Sequence, residues 1–204
     1  FLASKLNVKP GDKVLDVGCG VGGPLREIAA FTGADVTGLN NNAFQIKRGE
    51  EMNKATGRHD NCDFVKADFM NIPKPDASFD AVYQIEATCH APDAVGCYSE
   101  IFRVLKPGGV FASYEWCLTD AYDPTNAEHR RIRQEILIGN GLPTARTCED
   151  VLTAMKKAGA KAKAKAASYT KSKKKDTNTI VIGILSQTNV LLFGSKSYVI
   201  IIVD

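Results

Sequence analysis

Short apolar runs alternate with amphipathic stretches along the first three quarters of the chain. Residues 13–18, KVLDVG, follow the turn signal KPGD and predict a strand; a glycine cluster comes next, then the helical pattern PLREIAAFTG with Gly33 as its stop. ADVTGLN predicts a second strand, residues 43–56 a polar amphipathic helix, and CDFVKAD a third strand. FDAVYQIE, DAVGCYSEIFRVL and GGVFASYEW then predict strand, helix and strand, the last of them after the turn KPGG. Strands alternating with helices at this spacing predict an α/β fold with a Rossmann-like, doubly wound, mostly parallel sheet.

Residues 126–138 predict a further helix, and TCEDVLTAMKKAG another, with Thr147 as N-cap and Gly159 as stop. From Ala160 the pattern changes to low-complexity Lys/Ala, followed by three β-rich runs, TIVIGIL, NVLLF and SYVIIIVD. These runs are candidates for closing antiparallel strands of the same sheet, and as exposed edges they would be prone to aggregate. The expected division is a ligand-binding domain over residues 1–159 and a Lys/Ala-rich segment with a β-rich tail over 160–204. The chain opens at Phe1 on what reads as the end of a helix, so a truncated N-terminus is expected.

The 204 residues suffice for one substantial core. Their longest apolar runs fall well short of the roughly 20 residues that span a bilayer, so no transmembrane helix is expected. Six scattered cysteines, with no C-x-x-C pair and no histidine at zinc spacing, suggest neither a disulfide framework nor a metal, and fit a reducing, intracellular compartment. The net charge of +3 is uneven: residues 151–204 carry ten Lys and two Asp, +8, which leaves −5 before them. A Lys-rich tail with little aromatic interleaving reads as a solvated segment, and no nucleic-acid partner is expected.

LDVGCGVGG places Gly18, Gly20 and Gly22 where a strand turns into a helix, a site for close backbone approach to a ligand. Gly18, Gly20 and Gly23 also satisfy the G-x-G-x-x-G of a dinucleotide fold, so NAD competes with S-adenosyl-L-methionine. Three features favour the methyl donor. Asp16, inside the strand, repels a pyrophosphate and suits a cofactor with an ammonium and a sulfonium. Asn40, ending the second strand in GLNNN, stands where ribose hydroxyls are bound. Asp68 is placed to accept from an adenine amine with Phe69 near the ring, although strand-end solvation and core packing explain the same pair. Candidate cofactor contacts are therefore Asp16, Gly18, Cys19, Gly20, Gly22, Asn40, Asn41, Gln45, Asp68, Phe69 and Glu86.

QIEATCHAPD sets Glu86, Cys89 and His90 at the end of the fourth strand, where ligands bind in this architecture. Glu86 is the first choice for a carboxylate facing a sulfonium or a developing cation. His90 is a candidate to bond Glu86, contact substrate or relay a proton, and a structural hydrogen bond serves it equally. Cys89 reads as packing rather than a nucleophile. In YEW, Tyr114 and Trp116 share one face of the strand and Glu115 takes the other; the aromatic pair either offers π surface to a cation or packs the sheet against a helix. Asp120, Asp123 and His129 are candidates for a substrate mouth, although Asp123 before Pro124 is also a natural turn former, and HRRIR reads as a solvated helix face.

With these motifs assembled, residues 1–158 resemble the class I methyltransferases and, within them, the sterol C24-methyltransferases. VLDVGCGVGGP, GLNNN, QIKRG, FVKADFMNIP, SFDAVYQIEATCHAPD, EIFRVLKPGG, YEW, TDAYDPTNAEHRRIR and GNGLP carry the resemblance, which ends after Gly159. It implies transfer of a methyl from S-adenosyl-L-methionine to the side-chain double bond of a Δ24 sterol, with Glu86, His90, Tyr114 and Trp116 as catalytic candidates and no metal; the alternatives are a methyltransferase acting on another small molecule or lipid, or a truncated cofactor-binding module without turnover. It also implies a sterol substrate and a cytoplasmic site or a peripheral one on the endoplasmic reticulum membrane, and it is compatible with a homo-oligomer.

Overall fold

A computed structural model describes residues 1–57, 60–119, 121–169 and 198–203. The chain order is α1 (Leu2–Lys5), β1 (Lys13–Val17), α2 (Gly23–Thr32), β2 (Asp35–Asn40), α3 (Ala43–Ala55), β3 (Cys62–Lys66), β4 (Phe79–Ile85), a 3-10 turn at Thr88–His90, α4 (Ala94–Val104), β5 (Leu105–Trp116), α5 (Ala127–Asn140), α6 (Cys148–Tyr169) and β6 (Tyr198–Val203). The sheet order is β3-β2-β1-β4-β5-β6. β1 to β5 pair in parallel, and β6 runs antiparallel against β5. The winding reverses between β1 and β4, and in open α/β sheets ligands bind at the carboxyl ends of the strands beside such a reversal.

Both faces of the sheet are covered. One carries Val14, Val36, Ala81, Tyr83 and Ala112 against Leu6, Leu25 and Ile28 of the α1–α2 side. The other carries Leu15, Val17, Leu39, Val82 and Phe111 against Tyr98, Ile101 and Val104 of α4 and Val151, Met155 and Ala158 of α6. Successive residues of β1 and β4 therefore serve opposite cores, which is why these strands read as continuous apolar runs rather than as alternation.

Two expectations are corrected. Gly159 does not stop a helix: α6 continues to Tyr169. A glycine inside a helix costs only about 1 kcal/mol relative to Ala, and the Lys/Ala run beyond it consists of strong helix formers. The other correction concerns KPGG, which lies within β5 as a bulge: Phe79 pairs with Leu105 and Ala81 next pairs with Val110, so residues 106–109 loop out of the ladder. SYVIIIVD supplies β6, whereas the runs at 179–185 and 189–193 lie outside the described residues. Among the described residues, no helix is long and apolar enough to cross a membrane.

Candidate active site

The turn after β1 is left-handed at Gly18, Gly20 and Gly22, with φ of 75°, 56° and 75°. Gly18 has no alternative: a Cβ there would stand 2.3 Å from Ala87 Cβ, on the loop that follows β4. At Gly20 nothing lies within 4 Å of where a Cβ would be, so the backbone is open to a ligand. The turn is held from beneath, since the Gly18 and Cys19 amides donate to the Leu39 carbonyl at 2.8 and 3.1 Å. Asn40 Nδ2 donates to the Gly20 carbonyl at 3.2 Å and to Gln45 Oε1 at 2.7 Å, and the Asn42 side chain caps α3. The ends of β1 and β2 and the starts of α2 and α3 thus form one connected rim.

Cys19 belongs to the inside of that rim. Its thiol is buried against Gly38, and both its amide and its carbonyl bond within the protein. Burial, with the nearby Asp16 carboxylate adding to it, pushes the thiol far above its usual range. Asp16 is 2% exposed and accepts from the Tyr83 hydroxyl at 2.8 Å. Burial raises its carboxyl from 3.8 to about 7, against the opposing effect of that hydrogen bond. Asn41 is exposed; so is Asp68, which accepts from the Met70 amide at 2.8 Å, while Phe69 is half-buried against the core.

Just beyond β4, Glu86 has a φ of 53°, a left-handed conformation that costs a non-glycine residue about 1–2 kcal/mol. Its amide donates to the Tyr114 carbonyl at 2.8 Å, and its half-buried carboxylate has no hydrogen-bond or ion-pair partner among the described residues. Around it lies a buried polar network. Gln84 Oε1 accepts from the Ala87 and Thr88 amides at 2.8 and 3.2 Å, and Gln84 Nε2 reaches Ser113 Oγ, the Tyr114 carbonyl and Glu115 Oε2. Thr88 Oγ1 donates to Glu115 Oε2 at 2.6 Å and sits 3.1 Å from the Tyr98 hydroxyl, which must then be the donor of that pair. Glu115 Oε1 accepts from the Trp116 amide at 2.9 Å.

This network forms one wall of a cavity of about 240 Å³, where Thr88, Cys89, Tyr98, Glu115 and Trp116 face Tyr122, His129, Ile132, Arg133 and Ile136. His129, Ile132, Arg133 and Ile136 recur at helical spacing on one face of α5. The chain between β5 and α6 is stapled at its base: the Leu118 amide donates to the Arg146 carbonyl at 2.8 Å, Leu118 bridges Thr147, and the Arg146 guanidinium donates to the carbonyls of Cys89 and Ala91. A Thr147–Asp150 capping pair then starts α6.

The structure brings together the glycine turn, Asn40, Gln45, Glu86 and Asp16 at the switch point, and Trp116 with His129 at the cavity. Tyr114 is not paired with Trp116 there. Glu115, in alternation with Phe111 and Ser113, points to the α4–α6 side, and Trp116 joins it where the strand ends. His90 is exposed and makes no hydrogen bond to Glu86 among the described residues. HRRIR is a solvated face only at Arg130 and Arg131; His129, Ile132 and Arg133 turn inward. Asp123 closes an exposed turn onto Thr125, and Asp120 lies outside the described residues. Cys89 is buried, and burial together with Glu115 holds its thiol protonated, as packing requires. Sequence reasoning missed Gln84, Thr88, Tyr98 and the inward role of Glu115. A polar residue in an otherwise apolar strand such as AVYQI was the available signal.

The strand order, the switch-point turn and a match of residues 15–113 to the family described as methyltransferase domain define a class I methyltransferase fold. Within that class the chain is a homologue of the sterol 24-C-methyltransferases. It is 65% identical over 159 residues to cycloartenol-C-24-methyltransferase of Arabidopsis thaliana, covering 78% of this chain and 47% of that protein. Against sterol 24-C-methyltransferase ERG6 of Saccharomyces cerevisiae it is 54% identical over 159 residues, 78% of this chain and 42% of that protein. The chain thus spans about half the length of the curated relatives it matches. Among solved structures, a Galdieria sulphuraria protein described as a putative sarcosine dimethylglycine methyltransferase superposes with a TM-score of 0.67 at 30% identity, over 78% of this chain and 57% of that one. Geranyl diphosphate C-methyltransferase from Streptomyces coelicolor A3(2) shares the fold, with a TM-score of 0.77 at 21% identity over 100% of this chain and 76% of that one.

Proposed function

We propose that this chain carries the site for methyl transfer from S-adenosyl-L-methionine to side-chain C24 of a Δ24 sterol. The observation that carries the proposal is the Glu86 carboxylate, which has no hydrogen-bond or ion-pair partner among the described residues and is held in a left-handed conformation at the end of β4, one residue before Ala87 at the glycine turn and two before Thr88 of the cavity wall. Homology to the sterol 24-C-methyltransferases supports the reaction class. The chain's residues fit the cofactor: Gly20 leaves an open cradle, the α2 N-terminus favours a carboxylate, and Asp16 and Glu86 favour positive charge. Residues 1–159 hold this binding unit. Gly18, Gly20, Gly22, Asn40 and Gln45 form its rim, with Asn41, Asp68 and Phe69 at the adenosine end. Cys19 contributes by packing.

When bound, S-adenosyl-L-methionine supplies an electrophilic methyl on a sulfonium. The alkene's π pair forms the new bond at C24, the sulfur keeps the pair of the broken bond, and the neighbouring sterol carbon is left cationic. The cavity wall excludes water, Trp116 offers a π face to that cation, and Glu86 stabilises the positive charge. After a hydride shift, a proton leaves from the transferred methyl carbon. Glu86, directly or through exposed His90, accepts it. A cavity of about 240 Å³ is below the size of drug-scale pockets and suits the branched side-chain end of the sterol rather than its rings. Since sterols partition into bilayers, the reading includes peripheral contact with a membrane, at the endoplasmic reticulum by family resemblance.

Radiolabelled transfer to a Δ24 sterol tests the reading. Glu86→Gln should reduce turnover by about 10²-fold or more while cofactor affinity stays within about twofold. Equal turnover in variant and parent would remove Glu86 from the mechanism.

A further inference from the structure

The carboxylates at the ends of β4 and β5, Glu86 and Glu115, differ in their surroundings. Glu115 is 2% exposed with both oxygens engaged, by Thr88, Gln84 and the Trp116 amide. Glu86 has neither oxygen engaged among the described residues, yet it occupies the left-handed conformation. A strained residue persists only where its surroundings over-determine it, and here nearly every backbone polar group around Glu86 is fixed. The Glu86 amide is held by Tyr114, the Ala87 and Thr88 amides by Gln84 Oε1, and the Ala87 and Thr88 carbonyls by the amides of His90 and Ala91. Cys89 Sγ donates to the Glu86 carbonyl at 3.5 Å. The side chains that enforce this, Gln84 and Thr88, are themselves anchored on Glu115, and the Tyr98 hydroxyl completes Thr88. Burial keeps the Tyr98 phenol protonated, so that it remains a donor.

We infer that Gln84, Thr88 and Glu115 form a positioning clamp that holds Glu86 left-handed and aims its free carboxylate at the reacting centre. The inference rests on the methyl-transfer reading above. Glu115 is a positioning residue, since it is buried and both its oxygens are engaged in holding Thr88, Gln84 and the Trp116 amide. Glycine at position 86 would adopt this conformation without strain, so glutamate there carries a stability cost.

The test is a pair of double-mutant cycles on the full chain. Thr88→Val removes the hydroxyl at nearly constant volume. It should lower kcat on a Δ24 sterol by roughly 10- to 100-fold, the scale of a small misplacement of a reacting group, and leave the cofactor Kd within about twofold. Thr88→Ser, which keeps the hydroxyl, should restore most of the rate, and Glu115→Gln should resemble Thr88→Val. In a Glu86→Gln background Thr88→Val should change kcat by less than about twofold, because the clamp then has nothing to aim. The second cycle needs no activity. Glu86→Gly should raise Tm by roughly 2–4 °C in the parent chain by relieving the strain, and should give no gain in Thr88→Val, where the loop is free to relax. Additive losses in kcat, or an equal Tm change in both backgrounds, overturn the clamp. A parent chain that turns over no Δ24 sterol refutes the reaction instead, and the Tm cycle still decides the clamp.

Discussion

Replacing Asp16 by Asn separates the charge of that side chain from its shape. Asn keeps an oxygen to accept the 2.8 Å bond from the Tyr83 hydroxyl and removes only the ionisation. Burial raises the Asp16 carboxyl from 3.8 to about 7. The folded state therefore holds this proton over a pH range where the unfolded chain has released it. Below about pH 4 both states are protonated; as pH rises from there through about 7, the folded state loses relative stability, and above that the loss is complete. A shift of about 3 pH units corresponds to a loss on the order of 4 kcal/mol. Asp80 and Glu100 have lowered values and act with the opposite sign, losing their contribution as pH falls, but they are common to both chains and cancel in the difference.

The assay is urea unfolding of parent and Asp16→Asn in steps from about pH 4 to about pH 8. The stability of the parent minus that of the variant should decline from about pH 4 to about pH 7 and level off by about pH 8. A cationic ligand favours the ionised form, so the affinity of the parent for S-adenosyl-L-methionine should rise through about pH 7 while that of Asp16→Asn stays flat. Parallel stability curves, or a difference that grows with pH, would refute the assignment of a raised acid at this position.

Gly18→Ala places a Cβ 2.3 Å from Ala87 Cβ at a φ of 75°, so strain and overpacking together should destabilise by on the order of 3 kcal/mol, read as a Tm roughly 6–12 °C lower. Ile136→Trp fills part of the α5 side of the cavity; it should raise KM for the sterol at least about tenfold and leave the cofactor Kd within about twofold, as titration calorimetry and initial rates would show.

The alternation of short apolar runs with amphipathic stretches made β1 to β5 and α2 to α5 legible, because both sheet faces are covered and each parallel strand must be apolar along its length. Glycine spacing located the switch-point turn for an equally local reason, since positive φ is a property of single residues. What remained illegible depends on contacts between distant elements. Gln84 looks like an interruption of β4 until β5 brings Glu115 beside it, 31 residues away along the chain. Alternation in β5 placed Glu115 opposite Tyr114 and Trp116 but could not say which face held the cavity, because α5 and its connections decide that. The inward row His129, Ile132, Arg133 and Ile136 was hidden by its own charge, although its helical period was present in the sequence. Gly159 misled through a local rule that helix propensity and packing against α4 override.

The staple at Leu118, Arg146 and Thr147 has an evolutionary corollary. It closes the excursion between β5 and α6 at a neck, so the chain between Leu118 and Arg146 is a cassette pinned to the sheet at its base. The glycine turn, Asp16 and Glu86 all lie outside it. In evolutionary terms, substitutions confined to this segment can reshape the cavity wall at Tyr122, His129, Ile132, Arg133 and Ile136 without touching those strand ends. A chimera that borrows only this segment from a relative with a different acceptor is the natural unit of transplantation.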